Sequence, residues 1–315
     1  MNESRATALQ LCPFSAHLES GLRQRFELVR WFEFSAAEQA AWLERQASKV
    51  RAVVTGGHVG CSNELMARLP SLGIIAVNGV GVDRIDLPYA RGHGVRVTAT
   101  PGILTEDVAD LAIGLIIGLL RDIPAADAFV RSGGWVKGER PLARKVSGCR
   151  FGIVGLGHIG SAIAVRLTAF GPVAYTGPRR KSVGYQFHAD LMALARASDV
   201  LVLACTANDS TRHLVDADII AALGPQGYLV NVARGSVVDE TALVAAIDAG
   251  RLAGAALDVF EDEPKVPEPL RASPRVVLTP HVASATLETR TRMADLVLGN
   301  LDAYIGGGPL LTAVI

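Results

Sequence analysis

The chain has 315 residues, half of them apolar and a fifth charged, which suits two ordinary globular domains with sizeable cores. Lys plus Arg and Asp plus Glu are equal at 31 each, so no overall field draws the protein to nucleic acid or a membrane surface. The longest apolar run, Leu111 to Leu120, falls short of the roughly 20 residues that span a bilayer and reads as a buried helix. Met1 to Leu11 has no apolar h-region of a secretory signal. Cys12, Cys61, Cys149 and Cys205 show no paired spacing, so free thiols in a reduced, cytoplasmic protein are expected.

In chain order, apolar stretches alternate with helical patterns, the signature of an α/β protein with parallel sheets. Arg51 to Thr55, Gly73 to Val77 and Val95 to Thr98 read as strands of a first, small open α/β domain. After Pro101, Thr105 can cap a helix that runs to about Leu120, with Glu106 and Asp107 in its first turn, where the helix dipole favours negative charge. A loop follows from Arg131 to Ser147. A second α/β unit then begins, with strands expected at Arg150 to Val154, Pro172 to Tyr175, Asp199 to Leu203, Tyr228 to Val232, Gly254 to Val259 and Val276 to Thr279. The last long helical pattern, Leu287 to Tyr304, can return to the first domain. This reading makes residues 1–100 and 285–315 one domain and inserts residues 101–284 as a second, doubly wound one.

The run Gly155-Leu156-Gly157-His158-Ile159-Gly160 follows the apolar segment Phe151 to Val154 and opens a helical pattern from Ile159 to Phe170. Strand, glycine-rich turn and helix in this order bind the pyrophosphate of a dinucleotide. Gly155 permits the tight turn, Gly157 lets backbone approach the phosphates, and Gly160 lets the helix pack on the strand. The helix N-terminus adds free N–H groups and positive potential.

An NAD-binding unit places a carboxylate after its second strand to hold the ribose hydroxyls. Here that strand leads into Gly177-Pro178-Arg179-Arg180-Lys181, with no carboxylate and three cations. Arginine forks match phosphate oxygens bidentately, so the turn predicts NADP(H), with Arg179 and Arg180 on the 2′-phosphate and Lys181 beside them.

Three more strand ends carry polar residues: Asn231 to Gly235, Leu257 to Pro264, and Thr279 to Ser284. Reducing a 2-oxo acid needs a cation for the carboxylate and carbonyl, a proton donor for the developing alkoxide, and a carboxylate that keeps the donor protonated. Arg234, His281 and Glu263 are of these three types. Each alone has a simpler reading: a surface ion pair, a structural histidine, a solvated acidic loop.

Val80 to Asp86, the Gly155 turn, Asn231 to Asp239, Leu257 to Pro264 and Pro280 to Ser284 resemble the D-isomer-specific 2-hydroxyacid dehydrogenases, and the resemblance covers nearly the whole chain after about Arg51. Leu104 to Leu120, Leu257 to Leu270 and Met293 to Leu301 are most similar to the NADPH-dependent glyoxylate/hydroxypyruvate reductase branch. The resemblance implies a Rossmann-type sheet inserted into a flavodoxin-like substrate domain. It also implies that Arg234 binds the substrate carboxylate and keto oxygen, that His281 protonates that oxygen, and that Glu263 favours the charged form of His281 and fixes its tautomer. Asp258 would orient the nicotinamide carboxamide. Cys205, Thr206, Thr211, Ala233 and Ser284 would line the cofactor, and backbone N–H groups near Val80 and Gly81, beside Gly56, would hold the substrate carboxylate. Ala283 stands where many relatives have Gly.

Residues 102–148 would form a dimer arm in which Trp135 either reaches the partner's pocket or is buried in the arm itself. A homodimer is therefore expected. His17, His58, His93, His188 and His213 have no metal-ligand spacing, so no metal is expected. Reduction of phenylpyruvate-like or sugar-derived 2-oxo acids, or a non-catalytic NAD(P)-sensing corepressor on the same scaffold, are the alternatives.

Overall fold

A computed structural model describes residues 5–315, which fall into two compact units. The first contains the described residues up to Ile103 together with Thr286–Ile315; the second is Leu104–Ala285. The first unit runs β1 (Thr7–Gln10), α1 (Ala16–Arg25), β2 (Glu27–Arg30), α2 (Ala36–Gln46), β3 (Val50–Gly56), α3 (Asn63–Ala67), β4 (Ile74–Asn78), α4 (Leu87–Gly92) and β5 (Arg96–Thr98). Its five strands lie in the order β2-β1-β3-β4-β5, all parallel, the flavodoxin-like order. Both faces of β3 are covered, so the strand reads as a nearly unbroken apolar run, Val50-Arg51-Ala52-Val53-Val54.

The second unit opens with α5 (Thr105–Leu120) and α6 (Ile123–Arg131). Leu104, not Thr105, takes the cap position of α5, and no side chain caps the helix. Glu106 and Asp110 on α5 pair with Arg166 at 2.6 and 2.7 Å. The chain then winds through β6 (Phe151–Val154), α7 (His158–Leu167), β7 (Val173–Thr176), β8 (Gln186–Phe187), α8 (Leu191–Arg196), β9 (Val200–Leu203) and α9 (Ala217–Leu223). It finishes with β10 (Tyr228–Asn231), α10 (Glu240–Asp248), β11 (Gly254–Leu257), α11 (Glu268–Ala272) and β12 (Val276–Leu278).

The seven parallel strands lie in the order β12-β11-β10-β9-β6-β7-β8. The chain moves outward from β6 to β8, then crosses back to pair β9 with β6. This reversal opens a crevice at the carboxyl ends of β6 and β9, where open α/β sheets bind ligands.

Helix α12 (Leu287–Ile305) packs on β4 and α1 of the first unit. Its Ala294, Val297, Leu298 and Leu301 join Leu18, Leu22, Ala52, Val54 and Ile74 in one apolar cluster. The inserted, two-sheet architecture expected from the sequence is thus present. No helix among the described residues is long and apolar enough to cross a membrane.

Candidate active site

The glycine turn after β6 has the geometry its spacing demands. Gly155 adopts φ +91°, and a Cβ there would lie 2.6 Å from Cys205 Cα. A Cβ at Gly160 would lie 2.0 Å from the Gly155 carbonyl oxygen. Glycine is therefore required at both positions by close backbone approach. Gly157 differs: nothing lies within 4 Å of its absent Cβ, and it caps α7 without a side chain. Open space in front of an uncapped helix start, led by His158 and Ile159, fits a phosphate group. Burial pushes the Cys205 thiol up to about 11, so the residue facing this turn is neutral and does not repel an anion.

The basic turn after β7 is built on Tyr175. Its ring is buried against Phe187, with centroids 5.2 Å apart, and its hydroxyl accepts a hydrogen bond from Lys181 N at 2.7 Å. Lys181 Nζ donates back to the Leu156 carbonyl of the glycine turn. Lys181 thus ties the two turns together. Arg179 and Arg180 are exposed and make no ion pair among the described residues, which leaves both forks available to a phosphate.

Arg234 follows β10. Asn231, almost fully buried, staples this turn with both ends of its amide: Oδ1 accepts from Ala233 N at 3.0 Å and Nδ2 donates to Arg234 O at 2.9 Å. Arg234 Nη1 in turn donates to Ala233 O at 2.9 Å. After β12, His281 sits at φ +53°, a left-handed conformation that costs an ordinary residue about 1–2 kcal/mol. Asp258 holds it there. The Asp258 backbone accepts His281 N at 2.8 Å, and its carboxylate accepts Thr279 Oγ1 at 2.7 Å, Val282 N at 2.9 Å and Ala283 N at 3.0 Å. With Asp258 only 1% exposed, its geometry is that of a residue shaping the histidine loop, a role the resemblance did not suggest.

Glu263 reaches the same place from the turn after β11. Its Oε2 lies 2.8 Å from His281 Nδ1, and its Oε1 accepts Phe260 N at 3.0 Å. The carboxylate is therefore aimed by its own backbone, and the imidazole tautomer is fixed with Nδ1 toward Glu263. Thr211 Oγ1 donates to Thr206 O at 2.9 Å, closing the loop after β9 that also carries Cys205. Ala233 is buried and Ser284 half-buried at the ends of β10 and β12. Every residue assigned from the sequence to the cofactor or the proton transfer in this unit thus follows the carboxyl end of a parallel strand.

In the first unit, the loops after β3 and β4 meet. A Cβ on Gly79 would lie 3.3 Å from Gly57 N, and one on Gly56 would lie 2.8 Å from the His58 ring and 3.3 Å from Cys12 Sγ. Val80 and Gly81 continue this paired loop, with Val80 exposed. One group here escaped the sequence reading. Arg290, in the first turn of α12, is half-buried and makes no ion pair among the described residues. Burial pulls its guanidinium below the usual arginine range, and the nearby Cys12 acts in the opposite direction.

Comparison with known proteins identifies the family. Residues 113–283 match the family model described as D-isomer specific 2-hydroxyacid dehydrogenase, NAD binding domain. Glyoxylate/hydroxypyruvate reductase A of Arabidopsis thaliana and hydroxyphenylpyruvate reductase of Plectranthus scutellarioides are each 48% identical over 309 residues, 98% of either chain. The crystal structure of the NADPH-dependent glyoxylate/hydroxypyruvate reductase from Sinorhizobium meliloti, in complex with NADP and malonate, superimposes with a TM-score of 0.90. It is 42% identical and the match covers 99% of this chain and 97% of that one. The chain belongs to the D-isomer specific 2-hydroxyacid dehydrogenase family.

Proposed function

We propose that this enzyme reduces small 2-oxo acids of the glyoxylate and hydroxypyruvate type to 2-hydroxy acids with NADPH. The observation that carries this reading is the 2.8 Å pairing of His281 Nδ1 with Glu263, one strand end away from Arg234 in a unit that also holds the glycine turn. Bound NADPH supplies a hydride to C2 of the substrate. Arg234 binds the carboxylate and keto oxygen and stabilises negative charge as it develops there. His281, held by Glu263 through Nδ1, donates a proton to that oxygen from Nε2.

For the cofactor, Gly155, Gly157 and Gly160 cradle the pyrophosphate, while Arg179 and Arg180 take the 2′-phosphate. The exposure of both arginines and the absence of a carboxylate in the Gly177 to Ser182 turn support NADPH over NADH. The test is a panel of 2-oxo acids assayed with both cofactors. We expect kcat/KM to favour NADPH and to be greatest for glyoxylate or hydroxypyruvate. A preference for NADH overturns the cofactor assignment; a preference for aryl or sugar-derived 2-oxo acids moves the substrate to the other relatives' class.

In this reading residues 1–100 and 285–315 bind substrate, residues 101–284 bind the cofactor, and residues 102–148 include a dimer arm. No residue of α6 is buried, and Trp135 and Val136 are 70% and 93% exposed. Apolar surface of this extent in one segment supports a homodimer. Light scattering should give twice the chain mass. The four free cysteines suit a cytoplasmic setting.

A further inference from the structure

The turns that carry Arg234 and Glu263 are pressed together backbone to backbone. A Cβ on Gly235 would lie 1.9 Å from the Phe260 carbonyl carbon and 2.2 Å from Glu261 N. With Gly235 and Phe260 both buried, water is shut out of this crossing, and the Glu261 N–H needs a protein acceptor. Leaving such a group unpaired costs about 1–3 kcal/mol. Glu240 supplies the acceptor: its Oε1 takes the Glu261 N–H at 2.8 Å.

Glu240 is the first residue of α10, where an acidic side chain usually serves the helix dipole. That explanation falls short here. Asp239 already caps the helix through Ala242 N at 2.9 Å, and the Glu240 side chain is buried and turned to the neighbouring loop. On the outer side, the Glu261 carboxylate accepts Arg212 Nη2 and His213 Nε2, both at 2.8 Å. Residue 261 is thus fixed from two directions, and two residues later Glu263 reaches His281.

We propose that Glu240 is a positioning residue for the His281–Glu263 pair, setting the turn from which Glu263 holds the imidazole; this rests on the function proposed above. The groups facing Glu240 are Glu261, Asp262 and Glu263, with His281 beyond Glu263, and Arg212 and His213 beyond Glu261. Burial pushes the Glu240 carboxyl up, the Glu261 N–H acts against this, and the three acidic neighbours push it up again. What the turn needs from residue 240 is an oxygen acceptor more than a charge, so glutamine should substitute.

The test compares Glu240→Met, which keeps volume but has no acceptor oxygen, with Glu240→Gln; Glu240→Ala replaces the Met variant should that not fold. Proton NMR of the whole protein follows the low-field Nδ1–H signal of His281, identified by its loss in His281→Asn. We expect Glu240→Met to lose or shift this signal upfield and Glu240→Gln to keep it. In kinetics, kcat should fall roughly 10-fold in Glu240→Met, the scale of lost outer-shell support. The KM for NADPH should be unchanged, the alkaline limb of kcat/KM should move to lower pH, and Glu240→Gln should recover most of the loss. An unchanged His281 signal and pH profile in Glu240→Met overturns the proposal, as does a glutamine variant as impaired as the methionine one. If the wild-type protein reduces no 2-oxo acid, the functional reading fails, while the NMR comparison still decides the role of Glu240.

Discussion

Two charged turns project from the same sheet, and they are built on opposite principles. After β11, the acidic turn has its key carboxylates committed: Glu261 to Arg212 and His213, Glu263 to Phe260 N and His281. After β7, the basic turn anchors only Lys181, through Tyr175 and Leu156, and leaves Arg179 and Arg180 exposed. Groups that hold another protein group in place are paired inside the fold. The exposed arginines are carried on a firm base but keep their own hydrogen-bonding capacity, as the proposed phosphate contact requires, because a fork already bonded to a carboxylate would have to break that bond before binding a phosphate.

Removing the histidine that the acidic turn holds should have the largest effect. His281→Ala should lower kcat at least about 100-fold, the scale of general acid catalysis, with little change in NADPH binding by fluorescence titration. An unchanged kcat removes His281 from the mechanism. At the basic turn the loss should fall on cofactor choice. Each charge-assisted hydrogen bond contributes about 1.5–3 kcal/mol, so Arg179→Ala with Arg180→Ala, which loses at least one bond from each fork, should raise the KM for NADPH by about 100-fold or more. The KM for NADH should hardly move. An equal rise for both cofactors would mean that the arginines act on the fold or the shared pyrophosphate.

Between the turns lies the glycine turn, which Lys181 bridges. Gly155→Ala forces a β-carbon onto a left-handed backbone, a strain of about 1–3 kcal/mol, and against Cys205. Lower thermal stability and weaker binding of both cofactors are expected, measured by calorimetry with and without NADPH. The smallest effect should come from Tyr175→Phe, which removes the acceptor of Lys181 N. A cost of about 1 kcal/mol corresponds to a fall in Tm of about 2–4 °C for domains of this size, with the NADPH/NADH preference reduced but not reversed. A full reversal would place Tyr175, and not the arginines, at the centre of discrimination.

What was legible in the sequence was whatever depended on local order along the chain. The strands of the second unit are short apolar runs, each followed by its polar residues, so the order of residues alone puts Gly155, Arg179, Arg234, Glu263 and His281 at strand ends. The first unit's opening was harder. Thr7–Gln10 is buried along its whole length and shows no alternation, and the helix at Ile123–Arg131 lies in what reads as the approach to a loop. The pattern from Ile159 to Phe170 carries apolar spacing past Leu167, but the helix ends there and the last residues turn back toward β7. Glu240 was missed, and the contacts that Asp258 makes were not foreseen, for a different reason. Their partners, Glu261 and the Thr279–Ala283 segment, are some 20 residues away along the chain, and only the folded sheet makes them neighbours.

The return of α12 to the first unit also orders events in time. Chains emerge from the ribosome N-terminus first, and domains tend to fold as units when complete. Ala52, Val54, Ile74 and Ala76 are made before the inserted unit, but the helix that helps to cover them, with Ala294, Val297, Leu298 and Leu301, is made only after it. The inserted unit is complete before that helix exists. During synthesis the first sheet therefore has only α1 on this apolar face for as long as the second unit takes to be translated.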